Sequence, residues 1–288
     1  MSAWFLFALA SAFSHSLNNL CSKFLVSKIP KSLIGLGVYF FATVSLFVAS
    51  FINGIPDLGE KFLIAVLITG ILNVFAYFAI LRAYELADLS LVFPMILLTP
   101  VILMGTSYFI LGEKPSLLGF LGVIVVLLGL FFVVRNSDEK LDQKKIDSKK
   151  GIMYGILVAI IWSISINFDK IAVLNSDSFF AGACISLIMF FGIGFVFLQQ
   201  KNYFYIERKI FKYFPIIFIT SIFSVITIIT HFKALSMGLA SYTIVIKRTA
   251  VLFGVIWGVL FFKEKNFLPK IIGSAIAVAG IALILLSQ

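Results

Sequence analysis

The chain has 288 residues, of which 61% are hydrophobic, 16% aromatic and only 12% charged, against about 25% charged in an ordinary soluble domain. Its mean hydropathy of +1.11 excludes a water-soluble fold and a disordered chain, because the apolar surface exceeds what one core could bury. The two Cys residues lie in apolar runs, which excludes a disulfide scaffold. The net charge of +10 comes mostly from basic residues between apolar blocks, which indicates membrane-orienting loops rather than nucleic-acid binding. We therefore expect an integral membrane protein that has the lipid bilayer, and no nucleic acid, as a partner.

Ten apolar segments predict an all-α fold with ten transmembrane helices, since each is near the ~20 residues that a helix needs to cross the hydrocarbon core. Their length favours helices over barrel strands, which alternate over about ten residues. The first segment lacks a basic start and a persuasive cleavage site, so we expect it to remain as a helix. In chain order the segments are residues 3–26, 32–52, 62–81, 89–111, 117–134, 152–174, 179–198, 213–235, 242–262 and 268–286.

A polar linker at residues 135–150 divides the chain into two five-helix units, residues 1–134 and 151–288. Apolar helices resemble one another by chance, but polar and glycine landmarks of these units also coincide, at an offset of 151 residues. Because five is odd, the second unit enters the membrane from the opposite side. This predicts two inverted repeats around a central cavity, the architecture of secondary transporters. The coinciding landmarks are Glu113 with Glu264, Gly122 with Gly273, and Gly129 with Gly280.

The connections that follow odd-numbered segments share one face of the membrane and carry most of the basic residues. The opposite face has only Lys61, Lys114 and Lys170. The positive-inside rule places the basic face in the cytoplasm and both termini outside. The residues of the basic face are Lys28, Lys31, Arg135, Lys140, Lys144, Lys145, Lys149, Lys150, Lys201, Arg208, Lys209, Lys212, Lys263, Lys265 and Lys270.

The adjacent cations Lys247 and Arg248 lie inside the ninth segment and are its most informative feature. From Ser241 the helix rises about 9 Å to Lys247, and each cation costs about 2.5–3.5 kcal/mol at the bilayer centre. One interpretation is an anion-binding pair in the central cavity that contacts a carboxylate or phosphate of the substrate. In the other, one residue snorkels and the other pairs with Asp169 or Glu85.

Further polar residues extend this candidate substrate site, each with a structural alternative. Lys233 adds positive potential or snorkels to the interface, and His231 couples transport to protons or forms a structural hydrogen bond. Asn73 and Tyr77 are weaker candidates. The first segment has a polar stripe at three- and four-residue spacing, which lines a path or joins neighbouring helices. The stripe consists of His15, Asn18, Asn19 and Ser22.

Pro94 and Pro100 interrupt the fourth segment, as hinges or as structural kinks. Glu113 and Glu264 end segments four and nine beside lysines, where we expect paired charges at the membrane interface. The glycines of segments five and ten suit close helix packing. The sequence has no metal-binding, nucleotide-binding or nucleophile motif, so we expect no metal, no cofactor and no enzymatic activity.

The repeat, the turns at residues 112–114 and 263–265, and Lys23 with its counterpart Lys170 resemble the EamA family of the drug/metabolite transporter superfamily. The resemblance covers essentially the whole chain and implies ten helices around a central cavity, alternating access, and metabolites or drugs as substrates. Lys247-Arg248 also resembles a pair in the plastid sugar-phosphate translocators, which implies that both residues contact an anionic group. The chain departs from the family at residues 37–39, where many members have Arg, and at His15, where members have Trp. Family members are usually drawn with cytoplasmic termini, opposite to the charge count.

These features predict a multi-pass secondary transporter in the cell membrane for a small, polar, anionic metabolite, with export among its roles. Coupling is to protons through His15 or His231, or transport is exchange. An intramembrane enzyme using the same histidines is the alternative, and histidines far apart would argue against it. A non-transporting scaffold or sensor is the third alternative, for which a packed centre without a cavity would be diagnostic.

Overall fold

The structure is a computed structural model that describes residues 3–26, 28–87, 92, 95–135, 148–199, 209–250, 252–254, 256–257 and 267–287. Within these ranges it is all-helical, with no strand. The helices are α1 (Ala3–Val26), α2 (Lys31–Asn53), α3 (Phe62–Leu86), α4 (Thr99–Leu111), α5 (Leu117–Arg135), α6 (Ser148–Leu174), α7 (Ser178–Gln199), α8 (Lys209–Met237), α9 (Ala240–Arg248) and α10 (Phe267–Leu286). Pro94, Glu264 and most of the linker at residues 135–150 lie outside the described residues.

Five stretches of the described helices are long and apolar enough to cross a bilayer. Three shorter apolar stretches accompany them in α4, α5 and α10. The all-α membrane fold is therefore confirmed, while ten spans remain a prediction. The five long stretches are Lys31–Asn53, Phe62–Ala83, Lys149–Leu174, Ser178–Gln199 and Lys212–Met237.

Two of the predicted continuous segments are divided in the structure. The fourth turns at Leu97 and Leu98 before α4 begins, so Pro100 stands in the first turn of a helix. A proline there loses no hydrogen bond, because the first N–H groups of a helix have no partner within it. The hinge proposed at Pro100 remains a prediction, and the chain turns directly before this residue. The ninth segment turns at Thr249, directly after α9 ends with Lys247 and Arg248.

The helices of one half pack mainly against helices of the other half. The closest pairs are α1 with α8, α3 with α6, α2 with α7, and α5 with α10. In the third pair, Gly35 lies near Ile193 while Leu46 lies near Gly182, so α2 and α7 run antiparallel. Since α2 and α7 occupy equivalent places in the two halves, these directions are those of inverted repeats.

Glycines bring α5 and α10 together over their whole length. A methyl group on Gly122 would stand 2.9 Å from the Gly280 carbonyl oxygen, and one on Gly129 would stand 2.6 Å from the Gly273 carbonyl oxygen. Both distances are too short for a side chain, so the two backbones are in direct contact. The glycines whose repetition indicated two related halves thus meet each other across the interface between those halves.

Candidate functional site

Lys247 stands at the end of α9, about 10 Å along the helix from Ala240, and is partly buried. Its charge acts on Asp169 of α6, on His15 of α1 and on His231 of α8. Groups on three other helices, from both halves, therefore lie within electrostatic reach of this ammonium group. The helix break at Thr249 lies next to it, and broken helices are typical of the binding sites of secondary transporters.

The carboxylates that the sequence offered as partners for Lys247 bind elsewhere. Asp169 accepts a hydrogen bond of 2.6 Å from the Thr69 hydroxyl, and Glu85 pairs with Arg82 at 2.9 Å between Oε2 and Nη1. Among the described residues, no carboxylate forms an ion pair with the Lys247 ammonium. Within the described part of the chain, the site thus contains a cation that has no acidic partner in salt-bridge contact.

Arg248, which follows Lys247 in α9, lies against an aromatic ring of α6. Its guanidinium carbon is 4.9 Å from the centre of the Trp162 ring in α6, a distance at which the ring face attracts a cation. Trp162 belongs to the segment that resembles the polar stripe of α1. Stacking on a ring face orients the planar guanidinium.

The two histidines are near each other rather than far apart. His15 and His231 interact electrostatically, and the charges of Lys247 and Arg248 act on both rings. His231 is 5% exposed, and its Nδ1 atom has no hydrogen-bond partner among the described residues. The separation that would have argued against an enzyme is therefore not found. Among those residues, no group of three or more His, Cys, Asp and Glu could hold a metal ion.

Asp169 belongs to a buried polar cluster that joins α3 to α6. Asn73 donates to the Ser165 hydroxyl at 2.8 Å and to the Thr69 hydroxyl at 3.1 Å, and those two hydroxyls are 2.7 Å apart. Asn73 therefore lies beside the site and contacts the helix that carries Asp169. From the sequence, Asp169 was only a possible ion-pair partner and not a member of a polar cluster. Its spacing from Ser165 and Trp162, four and seven residues, repeats that of Ser22 from Asn18 and His15.

A second cluster joins α1 to α8 at the place that the repeat relates to the first cluster. The Asn18 amide donates to the Thr220 carbonyl oxygen at 3.2 Å and to the Ser224 hydroxyl, and it accepts a hydrogen bond from Ser22. Thr220 and Ser224 follow Thr69 and Asn73 by 151 residues. The two clusters thus match in position, but Ser22 stands where the other cluster has Asp169. Only one of the two carries a charge.

The remaining candidates are spread over the molecule. Asn19 is exposed on α1, while the partly buried Lys233 lies one turn before the end of α8. The Tyr77 hydroxyl donates to the Lys31 carbonyl oxygen at 2.8 Å, which attaches α3 to the start of α2. The side chain of Lys23 lies outside the described residues. The structure therefore brings together Lys247, Arg248, His15 and His231, with the Asn73 cluster beside them.

Glu113 follows directly after α4 and is buried and paired, but its partner is not the neighbouring lysine suggested by the sequence. Gly112 ends α4 with a φ of 69°, a left-handed conformation that suits glycine and turns the chain back. Glu113 then pairs with Lys170 at 2.6 Å and accepts the backbone N–H of Ala240, at 2.9 Å to Oε2. The adjacent lysine is not its partner, because Lys114 remains exposed. The ion pair therefore links α4 and α6 to the first turn of α9.

Antiparallel helix pairs, buried cations beside a helix break, and equivalent polar clusters in two halves define a class of protein: a helical membrane protein built from two inverted repeats. The EamA-like transporter family model matches residues 2–135 and 149–286, so the chain belongs to the EamA-like transporter family. The resemblance stated from the sequence is thereby confirmed.

Two further comparisons agree with this architecture. The uncharacterized protein MJ1333.1 of Methanocaldococcus jannaschii is 27% identical over 138 residues, which are 48% of this chain and 98% of that protein. A solved crystal structure superposes on 99% of this chain and 97% of its own, with a TM-score of 0.82 and 14% identity. At that identity the crystal structure shows the fold alone. The Methanocaldococcus jannaschii protein has about the length of one repeat of this chain.

Proposed function

We propose that this chain is a secondary transporter that moves a small anionic metabolite, a carboxylate or a phosphate, across the cell membrane by alternating access. The observation that carries the proposal is Lys247, a cation inside the bundle with no ion pair among the described residues. An unpaired cation in the membrane is costly, and an anionic substrate would offset that cost. Arg248, oriented over Trp162, would supply the second contact to the same group.

The inverted repeats support alternating access. If the substrate binds at the interface of the repeats, a rocking motion of one group of helices against another would open the site to each side in turn. The two clusters that join α1 to α8 and α3 to α6 would move as units, because each pairs one helix from each half. The EamA-like family is one of transporters, which favours this reading over an intramembrane enzyme that uses His15 and His231.

The experiment is solute exchange in liposomes containing the purified protein. Vesicles loaded with a carboxylate and phosphate mixture are tested for uptake of each labelled solute, with and without an imposed pH gradient. We expect uptake of at least one anion by the wild type and its loss in Lys247→Gln. Lys212→Gln is the matched control, since Lys212 is exposed at the start of α8. Folded Lys247→Gln protein that transports at the wild-type rate would overturn the assigned role. A pH gradient that leaves uptake unchanged would favour exchange over proton coupling.

A further inference from the structure

An open cavity of about 730 Å³ lies between α2, α3 and α6, and neither Lys247 nor Arg248 lines it. Its charged lining residues are Lys31, the first residue of α2, and Arg82 and Glu85 near the end of α3. The rest of the lining is mainly aromatic and aliphatic. It includes Phe75, Phe78, Leu157 and Ile161.

The charged and apolar residues occupy opposite ends of this cavity. The Gly59 backbone N–H donates to the Asn175 carbonyl oxygen, while Gly151 approaches Ala87, so α3 and α6 are antiparallel. Phe75 therefore lies deeper in the bundle than Glu85, by about 15 Å along α3. The cavity consequently has a charged mouth near the ends of the helices and an apolar floor towards the bilayer centre.

The mouth carries net positive charge. Arg82 and Lys31 contribute two cations and Glu85 one anion, and the ion pair of 2.9 Å uses one guanidinium nitrogen, which leaves other N–H groups of Arg82 to donate. The Arg82 side chain is 57% exposed, so an incoming ligand can reach it. The same face of the membrane carries further exposed cations, Lys28 and Lys149.

We infer that this cavity binds one anionic glycerophospholipid, with the phosphate at Lys31 and Arg82 and an acyl chain along Phe75 and Phe78. Basic pockets between membrane helices bind anionic headgroups, and the apolar floor matches a hydrocarbon chain rather than a free anion. A soluble phosphate would gain nothing from the aromatic lining. The inference does not depend on the transported solute, because the cavity and the Lys247 site have separate linings.

The test compares retention of phosphatidylglycerol and phosphatidylcholine by the full-length protein, measured by native mass spectrometry after equilibration in mixed micelles. We expect the wild type to prefer phosphatidylglycerol and the double variant Lys31→Gln/Arg82→Gln to lose that preference, with affinity about fivefold weaker for each cation removed. A second variant, Ala79→Phe, places a larger side chain in the cavity without changing the charge of its lining. It should weaken retention of both lipids at this site.

The matched control is Lys61→Gln/Lys114→Gln, which removes two exposed cations from the opposite face. It should keep the wild-type preference. Equal retention of the two lipids by the wild type would overturn the inference. An equal loss of lipid preference in the control would also overturn it, because the effect would then reflect overall charge. Unchanged retention of both lipids by Ala79→Phe would overturn it as well. Preference for free phosphate over the lipid would reject the lipid as occupant.

Discussion

Lys170 of α6 and Glu113, which follows α4, form a buried ion pair with 2.6 Å between Nζ and Oε1. The same ammonium donates to the Gly238 carbonyl oxygen at 2.6 Å, and the carboxylate accepts the N–H of Ala240. The ion pair thus joins the end of α4, the last turns of α6 and the connection from α8 to α9. Because Glu113 binds the N–H of Ala240, the ion pair fixes the start of α9. This is the helix that carries the proposed substrate cations.

Removing Glu113 should destabilise the protein strongly. Glu113→Gln leaves the Lys170 ammonium buried without a counter-charge, which costs about 3–5 kcal/mol. Lys114→Gln alters the exposed neighbour and should change stability by no more than about 0.5 kcal/mol. Denaturation of both variants in one detergent, followed by helical circular dichroism, measures the difference. Equal stability of the two variants would show that the ion pair contributes little.

Thr69 is the described hydrogen-bond donor to the buried Asp169 carboxylate. Thr69→Val should destabilise the protein by about 1–3 kcal/mol, because the carboxylate loses a partner that water cannot replace. Thr43 is also buried, but its hydroxyl donates to the Tyr39 carbonyl oxygen within α2. Thr43→Val therefore removes no contact between helices and should cost less. The measurement is the decrease in the free energy of unfolding that each substitution causes. Equal decreases for the two variants would contradict the expectation.

Gly129 should not tolerate a side chain. Gly129→Ala places a methyl group 2.6 Å from the Gly273 carbonyl oxygen, which forces α5 and α10 apart at a cost of about 1–3 kcal/mol. Gly105, within α4, has no atom within 4 Å of the same position. Gly105→Ala should instead stabilise the helix by up to about 1 kcal/mol. Thermal unfolding of both variants tests the opposite signs, and a shift in the same direction would contradict the packing argument.

Trp162 should affect the affinity of the proposed site for its anion. Trp162→Leu removes the ring under the Arg248 guanidinium, and we expect the apparent KM to rise by about 2- to 30-fold with folding unchanged. Trp162→Phe keeps an aromatic face and should lie between the wild type and the leucine variant. The exchange assay in liposomes measures both values. A maximal rate that falls while KM stays constant would assign Trp162 to conformational change instead of binding.

Several features of the fold were predictable because they follow from the length of the apolar runs and from the repeated spacing of residues along the chain. Hydrocarbon thickness sets helix length, so α1 ends where its apolar run ends, at Val26. The repeated glycines indicated close packing, and Gly122 and Gly280 are in direct contact. Lys247 and Arg248 were candidate site residues from the sequence alone, because two adjacent cations rarely remain in an apolar segment without a functional reason.

Other features depended on which helices become neighbours, and a linear pattern does not contain that information. Glu113 stands beside Lys114 in the sequence, yet pairs with Lys170, which follows it by 57 residues. Asp169 was one of two alternative ion-pair partners for the cation pair, but its described hydrogen-bond donor is Thr69. The break at Thr249 also escaped prediction, because hydropathy is the same on both sides of that turn.

The amino-acid sequence alone determined that this chain enters a bilayer, that it does so in two related halves, and that one helix brings cations with it. Those properties are local, since they depend on the free energy of moving each side chain from water into hydrocarbon. Tertiary structure alone decided that His15, His231 and Asp169 come within electrostatic reach of Lys247, and that α2 faces α7. Such proximity arises from interlocking helix surfaces, whose shape depends on residues far apart in the chain.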